Sequence, residues 1–291
     1  MTDLSTQSYT HSLYIIGNGF DLSHGMKTSW RDFIDWLSGQ RKYELLNSWL
    51  TYYPGFTADL WSNLEKTLGN YDLEEQYEYC THDIEIDYDH MMRSGFIIED
   101  SPISELSPVT SLLQSALAEW ILSIDLPAQR KMNLPEEARY LSFNYTSVLE
   151  KTYGIPTSRV LHIHGCADND DTLIFGHDKY VDDFTDPSQV SFIENAKASI
   201  IGIMNDLYKD VPAIIEANVN YFASLADIED IVTLGHSYND IDRPYFKAIS
   251  AYVKPGCLWT LSYHGDEDKR HSERLMATLG IDSSRCQFIQ I

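Results

Sequence analysis

Histidine, asparagine and aspartate recur in this chain directly after short apolar runs, and chemistry could sit at those points. Asn144 follows Phe143 in Ser142-Phe143-Asn144-Tyr145-Thr146. His164 precedes Gly165 in His162-Ile163-His164-Gly165, and His236 follows Gly235 in Gly235-His236-Ser237-Tyr238-Asn239-Asp240. An amide so placed can fix a sugar hydroxyl or a water, and a histidine titrating near neutrality suits a general base. Plainer roles fit the same residues. Asn144 can open a turn with Thr146 or Ser147 capping the next helix, His164 can be a satisfied histidine at a strand end, and Asp240 can be a cap. His162 and His164 would share one face of a strand as a metal pair, but spacing supplies no third ligand.

A second stretch, Leu13-Tyr14-Ile15-Ile16-Gly17-Asn18-Gly19-Phe20-Asp21, runs an apolar strand into Gly-x-Gly. That pattern predicts a tight turn whose backbone a ligand can approach. The dinucleotide fingerprint asks for a third glycine where Leu22 stands. Asp21 can cap a helix or bond a ribose hydroxyl, and facing a diphosphate directly it would repel it. Ser23, Gly25, Thr28 and Ser29 fit a loop or a cap. At Gly235–Asp240 the backbone N–H groups of a helix start would favour an anion.

Those residues need elements to hold them. Apolar runs predict strands at Ser12–Ile16, Arg139–Phe143, Val160–Ile163, Leu173–Phe175, Ile228–Leu234, Leu258–Tyr263 and Gln287–Ile291. Continuous rather than alternating apolarity marks strands buried on both faces. Helical stripes occur at Trp30, Phe33, Ile34 and Leu37, over Glu44–Leu50, at Trp61, Leu64 and Leu68, and along Val109–Ile124, after a break at Pro102–Pro108. Further helices are predicted over Ser147–Tyr153, over Phe192–Leu225 with a break near Pro212, and over Ile241–Tyr252 and Glu267–Leu279. The acidic run Leu73–His90 reads as a solvated helical face or a mobile segment. Alternating strands and helices predict an α/β doubly wound, Rossmann-like, mostly parallel sheet whose ligands bind at the carboxyl ends of its strands. Between Ile16 and Arg139 no convincing strand occurs, which predicts one domain over 1–291 with a helical insertion at 38–135.

Composition narrows the partners. Across 291 residues the formal charge is -23, with a pI of about 4.6, a surface that repels nucleic acids and anionic membranes. Hydrophobic residues make up 43%, enough for a sizeable core. Cys80, Cys166, Cys257 and Cys286 lie too far apart for a zinc-ligand pair. No signal peptide and no membrane-length apolar run is visible, so a reduced, cytoplasmic protein is expected.

Taken in order, several motifs resemble the AbiH family of bacterial phage-defence, or abortive infection, proteins. They are Ile15-Ile16-Gly17-Asn18-Gly19-Phe20-Asp21-Leu22, Gly25-Met26-Lys27-Thr28-Ser29-Trp30-x-x-Phe33, Trp61-x-x-Leu64-Glu65, Ser142-Phe143-Asn144-Tyr145-Thr146, His162-Ile163-His164-Gly165 and Ile174-Phe175-Gly176-His177. Met26-Lys27 stands where Leu-Pro is more usual. The resemblance spans about 13–265. More distantly, the same order is similar to sirtuin-like NAD-binding domains of bacterial defence systems. That similarity implies a sirtuin-like fold that binds NAD and hydrolyses its nicotinamide–ribose bond, with Asn144, His164 and Asp21 as catalytic residues. It also implies cofactor-binding roles for Gly17, Asn18, Gly19, Phe20, Asp21, Thr28, Gly165, Gly235, His236, Ser237 and Asp240. Thr146 replaces the aspartate expected after Asn-Tyr, a departure that bears on hydrolysis. The zinc-ribbon cysteines of sirtuin deacylases are missing, which argues against deacylation. Two other classes are a nucleotide sensor without turnover, and a metal-dependent nuclease using Asp21, Glu65, His164, His177 and His236. The expected partners are a nucleotide, a defence protein or phage trigger, and further copies of the chain in a homo-oligomer.

Overall fold

The computed structural model describes residues 9–52, 65, 68–85, 88–182 and 191–291. The chain divides into two compact units. One comprises Met1–Ser29, Ile121–Ile174 and Asp210–Ile291 and holds the sheet; the other comprises Trp30–Trp120 and Phe175–Lys209, and its described elements are helices.

The sheet has six strands, β1 (Ser12–Ile16), β2 (Arg139–Ser142), β3 (Val160–His162), β4 (Asp230–Leu234), β5 (Leu258–Tyr263) and β6 (Cys286–Gln290). Every pairing is parallel, in the order β3-β2-β1-β4-β5-β6. This is the order of a doubly wound α/β sheet, with its topological switch between β1 and β4. Leu13 pairs with Arg139 and Ile231, and Ile16 with Ser142 and Leu234, so three strand ends align at one edge.

The apolar runs are long enough to feed both faces. Leu13, Ile15, Leu141, Ile231 and Leu261 pack with Phe143, Phe222, Tyr245, Phe246 and Ile249 in one core. Ile16, Tyr140 and Leu234 pack with Phe20, Val148, Leu149 and Tyr153 in a second. Successive strand residues point to opposite faces, so a strand serving two cores must be apolar throughout.

In the helical unit the break expected at Pro102–Pro108 does not occur. One helix runs from Met91 to Leu122 through both prolines. Pro102 lacks the N–H that would serve the Ile98 carbonyl, and the Ser101 hydroxyl donates to that carbonyl instead, at 2.8 Å. The acidic run is not solvated all round either. Its helix, Leu73–Thr81, is capped by Asp72, and it buries Gln76 and Cys80. Trp49 Nε1 donates to Gln76 Oε1 at 3.0 Å. The Trp61 and Leu64 positions of the predicted stripe lie outside the described residues, while Leu68 is buried. No helix among the described residues is long and apolar enough to cross a membrane. All four cysteines are free thiols.

Candidate functional site

β1 passes into a helix, Asn18–Ser23, through Gly17 alone. The ladder to β4 continues past the strand ends: Gly17 N donates to Leu234 O at 3.0 Å and Gly19 N to Gly235 O at 2.8 Å. A Cβ on Gly17 would meet Gly235 O at 2.7 Å, and one on Gly19 would meet Gly235 Cα at 2.8 Å. Gly235 has φ +68°, and its own Cβ would lie 2.0 Å from Phe20 N. The glycines therefore let the end of β4 press against the first loop. The backbone that approaches Gly17 and Gly19 on that side is the chain's own.

Polar atoms gather where this loop meets the end of β2. Asn144 is held at three points. Its N–H donates to Ser142 Oγ at 3.2 Å, its carbonyl accepts from His162 Nδ1 at 3.0 Å, and its Nδ2 donates to Gly17 O at 3.2 Å. Thr146 Oγ1 donates to Asp21 Oδ2 at 2.6 Å. Asn18 Nδ2 donates to Thr28 O at 2.8 Å and so fastens the far end of the loop. Asp21, Asn144 and Thr28 are only 1%, 6% and 7% exposed. Yet Asp21 Oδ1, Asn144 Oδ1 and Thr28 Oγ1 have no hydrogen-bond partner among the described residues. Each such buried atom ordinarily costs about 1–3 kcal/mol. Burial pushes the Asp21 carboxyl from 3.8 up to about 6, and the Thr146 hydroxyl, the Asn144 amide and the charge of His162 offset this only in part. The carboxyl therefore changes charge close to neutrality.

The two histidines expected on one face of β3 part company. β3 ends at His162, and a turn closed by Gly165 N to His162 O at 3.1 Å redirects the chain. Gly165 makes that turn at φ +83°, where its Cβ would strike Thr172 O at 2.7 Å. His162 stays with Glu150, its Nε2 2.9 Å from Oε1. His164 swings to Tyr245, with Nε2 3.1 Å from the hydroxyl. Leu173–Phe175, expected as a strand, joins this turn and no sheet. Ile174 N donates to His164 O at 2.8 Å, and Ile174 O accepts from the Tyr145 hydroxyl at 3.0 Å.

Phe143 ties the remaining histidine to this group. Its ring lies edge-on to His164 and to His236, with centroids 5.2 and 4.6 Å apart. His236 Nδ1 accepts from Tyr238 N at 2.9 Å, and its Nε2 is 3.6 Å from Asp242 Oδ2. Both histidines are buried. Ser237 and Asp240 are exposed, and Asp240 pairs with Arg243. Asp240 and Asp242 already bring negative charge to the helix start where an anion was expected.

Glu65 and His177 belong to the helical unit. Glu65 pairs with buried Lys209 at 3.2 Å. His177 Nε2 donates to Met204 O at 2.9 Å, and burial lowers its pKa. Among the described residues, no group of three or more His, Cys, Asp or Glu side chains is placed to hold a metal ion.

Sequence spacing missed two partnerships, Thr146 with Asp21 and His162 with Glu150. The first joins residues 125 positions apart, so no local signal could reveal it. The second carried a faint one, since His162 is a polar residue inside an apolar run.

Compared with known families, residues 13–263 match the family described as Bacteriophage abortive infection AbiH. Comparison with curated proteins returned no match.

Proposed function

The chain belongs to the AbiH family of bacteriophage abortive infection proteins, and within that role we propose that it binds NAD at the carboxyl ends of β1 and β2 and hydrolyses the nicotinamide–ribose bond. One observation carries this reading. Asp21 Oδ1 and Asn144 Oδ1 are buried acceptors without a partner among the described residues, at the edge where doubly wound sheets bind ligands. Two such oxygens suit hydroxyl donors, which a ribose and a water supply. Nicotinamide leaves as a neutral molecule, and water adds to the anomeric carbon of the oxocarbenium-like ribose. One water proton passes to a base, and ADP-ribose results. Asn144 Oδ1 orients the water by accepting its hydrogen bond. Asp21, ionised in part near neutrality, bonds a ribose hydroxyl or takes the proton. His164, braced by Tyr245, is the second group able to accept it.

A sensor that binds the nucleotide without turnover is the other reading, and the engagement of His164 Nε2 with Tyr245 favours it. Incubating purified protein with NAD, with and without phage components, and assaying free nicotinamide separates the two. Release supports hydrolysis. Tight calorimetric binding of intact NAD without release over hours supports the sensor, and neither binding nor release ends both readings. In cells, Asn144→Ala and His164→Ala are expected to abolish NAD depletion. If both deplete NAD as the parent does, the mechanism is wrong.

A further inference from the structure

His162 and Glu150 have no part in the chemistry just described, yet they form a buried pair directly behind Asn144. Their side chains are 6% and 15% exposed. The His162 ring is bonded at both nitrogens, through Nδ1 to the Asn144 carbonyl at 3.0 Å and through Nε2 to Glu150 Oε1 at 2.9 Å. A carbonyl oxygen only accepts, so Nδ1 carries a hydrogen. At Nε2 the partner is a carboxylate oxygen, which when ionised also only accepts, so that an ionised Glu150 makes the ring an imidazolium. We propose that His162 and Glu150 form a buried ionic brace that positions Asn144 through its main chain and places a fixed positive charge near Asp21.

The surroundings agree. Burial by itself would lower the His162 pKa, but the Glu150 bond and charge, the Asn144 carbonyl and Asp171 outweigh it and hold the ring above its ordinary value. The charged groups around the ring are Glu150 on the helix Val148–Lys151, Asp168 and Asp171 on the loop after β3, and Asp21 on the first helix; Lys151 is bonded to Asp168. The imidazolium is thus a cation in an acidic setting, and it draws Asp21 toward its ionised form. Asn144 has its N–H on Ser142 and its carbonyl on His162, so its backbone is fixed at both ends while its Oδ1 stays available. His162 acts through Asn144 and Asp21 and is a positioning residue.

For its catalytic consequence this inference rests on the NAD reading; the charge state of the pair does not. Nitrogen-15 NMR of the parent protein should show both His162 ring nitrogens protonated at about pH 7, above the ordinary histidine midpoint. Glu150→Gln should lower that midpoint. A His162 that is neutral at this pH in the parent overturns the brace. In the nicotinamide assay, His162→Gln is expected to reduce kcat roughly 10- to 100-fold with KM within about threefold. The rise of activity with pH governed by Asp21 should also move to higher pH, because a carboxylate that loses a neighbouring cation is harder to ionise. Parent-like kcat and pH profile in His162→Gln overturn the positioning role. If the parent releases no nicotinamide, the hydrolysis reading fails. The NMR result and the pH dependence of the stability difference between the parent and Asp21→Asn, with and without His162→Gln, then still decide the brace.

Discussion

Phe143 and Asn144 are neighbours in the chain but look into two unlike clusters. Phe143 packs edge-on against His164 and His236, and each histidine has a fixed partner, Tyr245 for one and the Tyr238 N–H for the other. Asn144 reaches toward Gly17 and Asp21, where Asp21 Oδ1, Asn144 Oδ1 and Thr28 Oγ1 are buried without partners among the described residues. The two buried histidines are thus each engaged, whereas three buried oxygens around Asn144 are left short. Satisfied buried networks rigidify a fold, whereas unsatisfied ones cost about 1–3 kcal/mol per atom and persist where the surroundings over-determine them. In the proposed reading, the amide and carboxylate cluster is where binding has the most to gain, and the histidine cluster adjoins it.

The hardest test of that contrast strikes the seam shared by both clusters. Gly235→Ala would force a Cβ to within 2.0 Å of Phe20 N at a residue with φ +68°. It should cost about 4 kcal/mol or more, or prevent folding, as read by chemical denaturation. A mild effect would mean that β4 and the first loop are not locked together.

Asn144→Ala should separate function from stability. Nicotinamide release is expected to fall about 10²-fold or more while stability drops by only about 1 kcal/mol, since the Nδ2 bond to Gly17 O is lost but Oδ1 has no partner among the described residues. A large melting shift with activity retained would reverse the roles of the two clusters.

Asp21→Asn has a pH signature. The folded carboxyl is raised from 3.8 to about 6, so its protonated form is favoured by folding. Its contribution is present in full below pH 3.8 and is lost as pH rises through about 6. The variant, which cannot ionise, should be more stable than the parent by about 2–3 kcal/mol at pH 7–8 and should gain nothing below the ordinary carboxylate range. Denaturant melts across that range measure it, and a variant destabilised at all pH values would remove Asp21 from the strained cluster.

Tyr245→Phe should have the smallest effect, about 1 kcal/mol, since one hydrogen bond to His164 is lost and the ring packing is kept. Nicotinamide release should stay within about tenfold of the parent if His164 is framework, and fall further if it is the base.

How far the sequence reached can be judged at particular residues. Ser12–Ile16 and Leu258–Tyr263 were legible to the residue, because parallel strands buried on both faces must be apolar throughout. Leu173–Phe175 misled by the same rule, since three apolar residues can equally well cross a loop. The prolines at 102 and 108 misled because a serine hydroxyl one residue before Pro102 can replace the hydrogen bond that proline removes. Among candidate site residues, Asp21 and Asn144 lie together beyond the aligned ends of β1 and β2, while His162 and His164 do not share a face, because the turn closed by Gly165 redirects the chain.

By itself the sequence determined that the strands are parallel and buried, that their ends carry the polar residues, and, through its ordered motifs, which family the chain belongs to. Only the tertiary structure decided which polar residues are satisfied. Thr146 reaches Asp21 across 125 positions and Asn144 reaches Gly17 across 127, so the parallel register at the sheet edge, not local spacing, selects the partners. Hydrogen bonding is short-ranged and directional, so a few ångströms at that edge separate a braced histidine from a buried carboxylate left with an open oxygen.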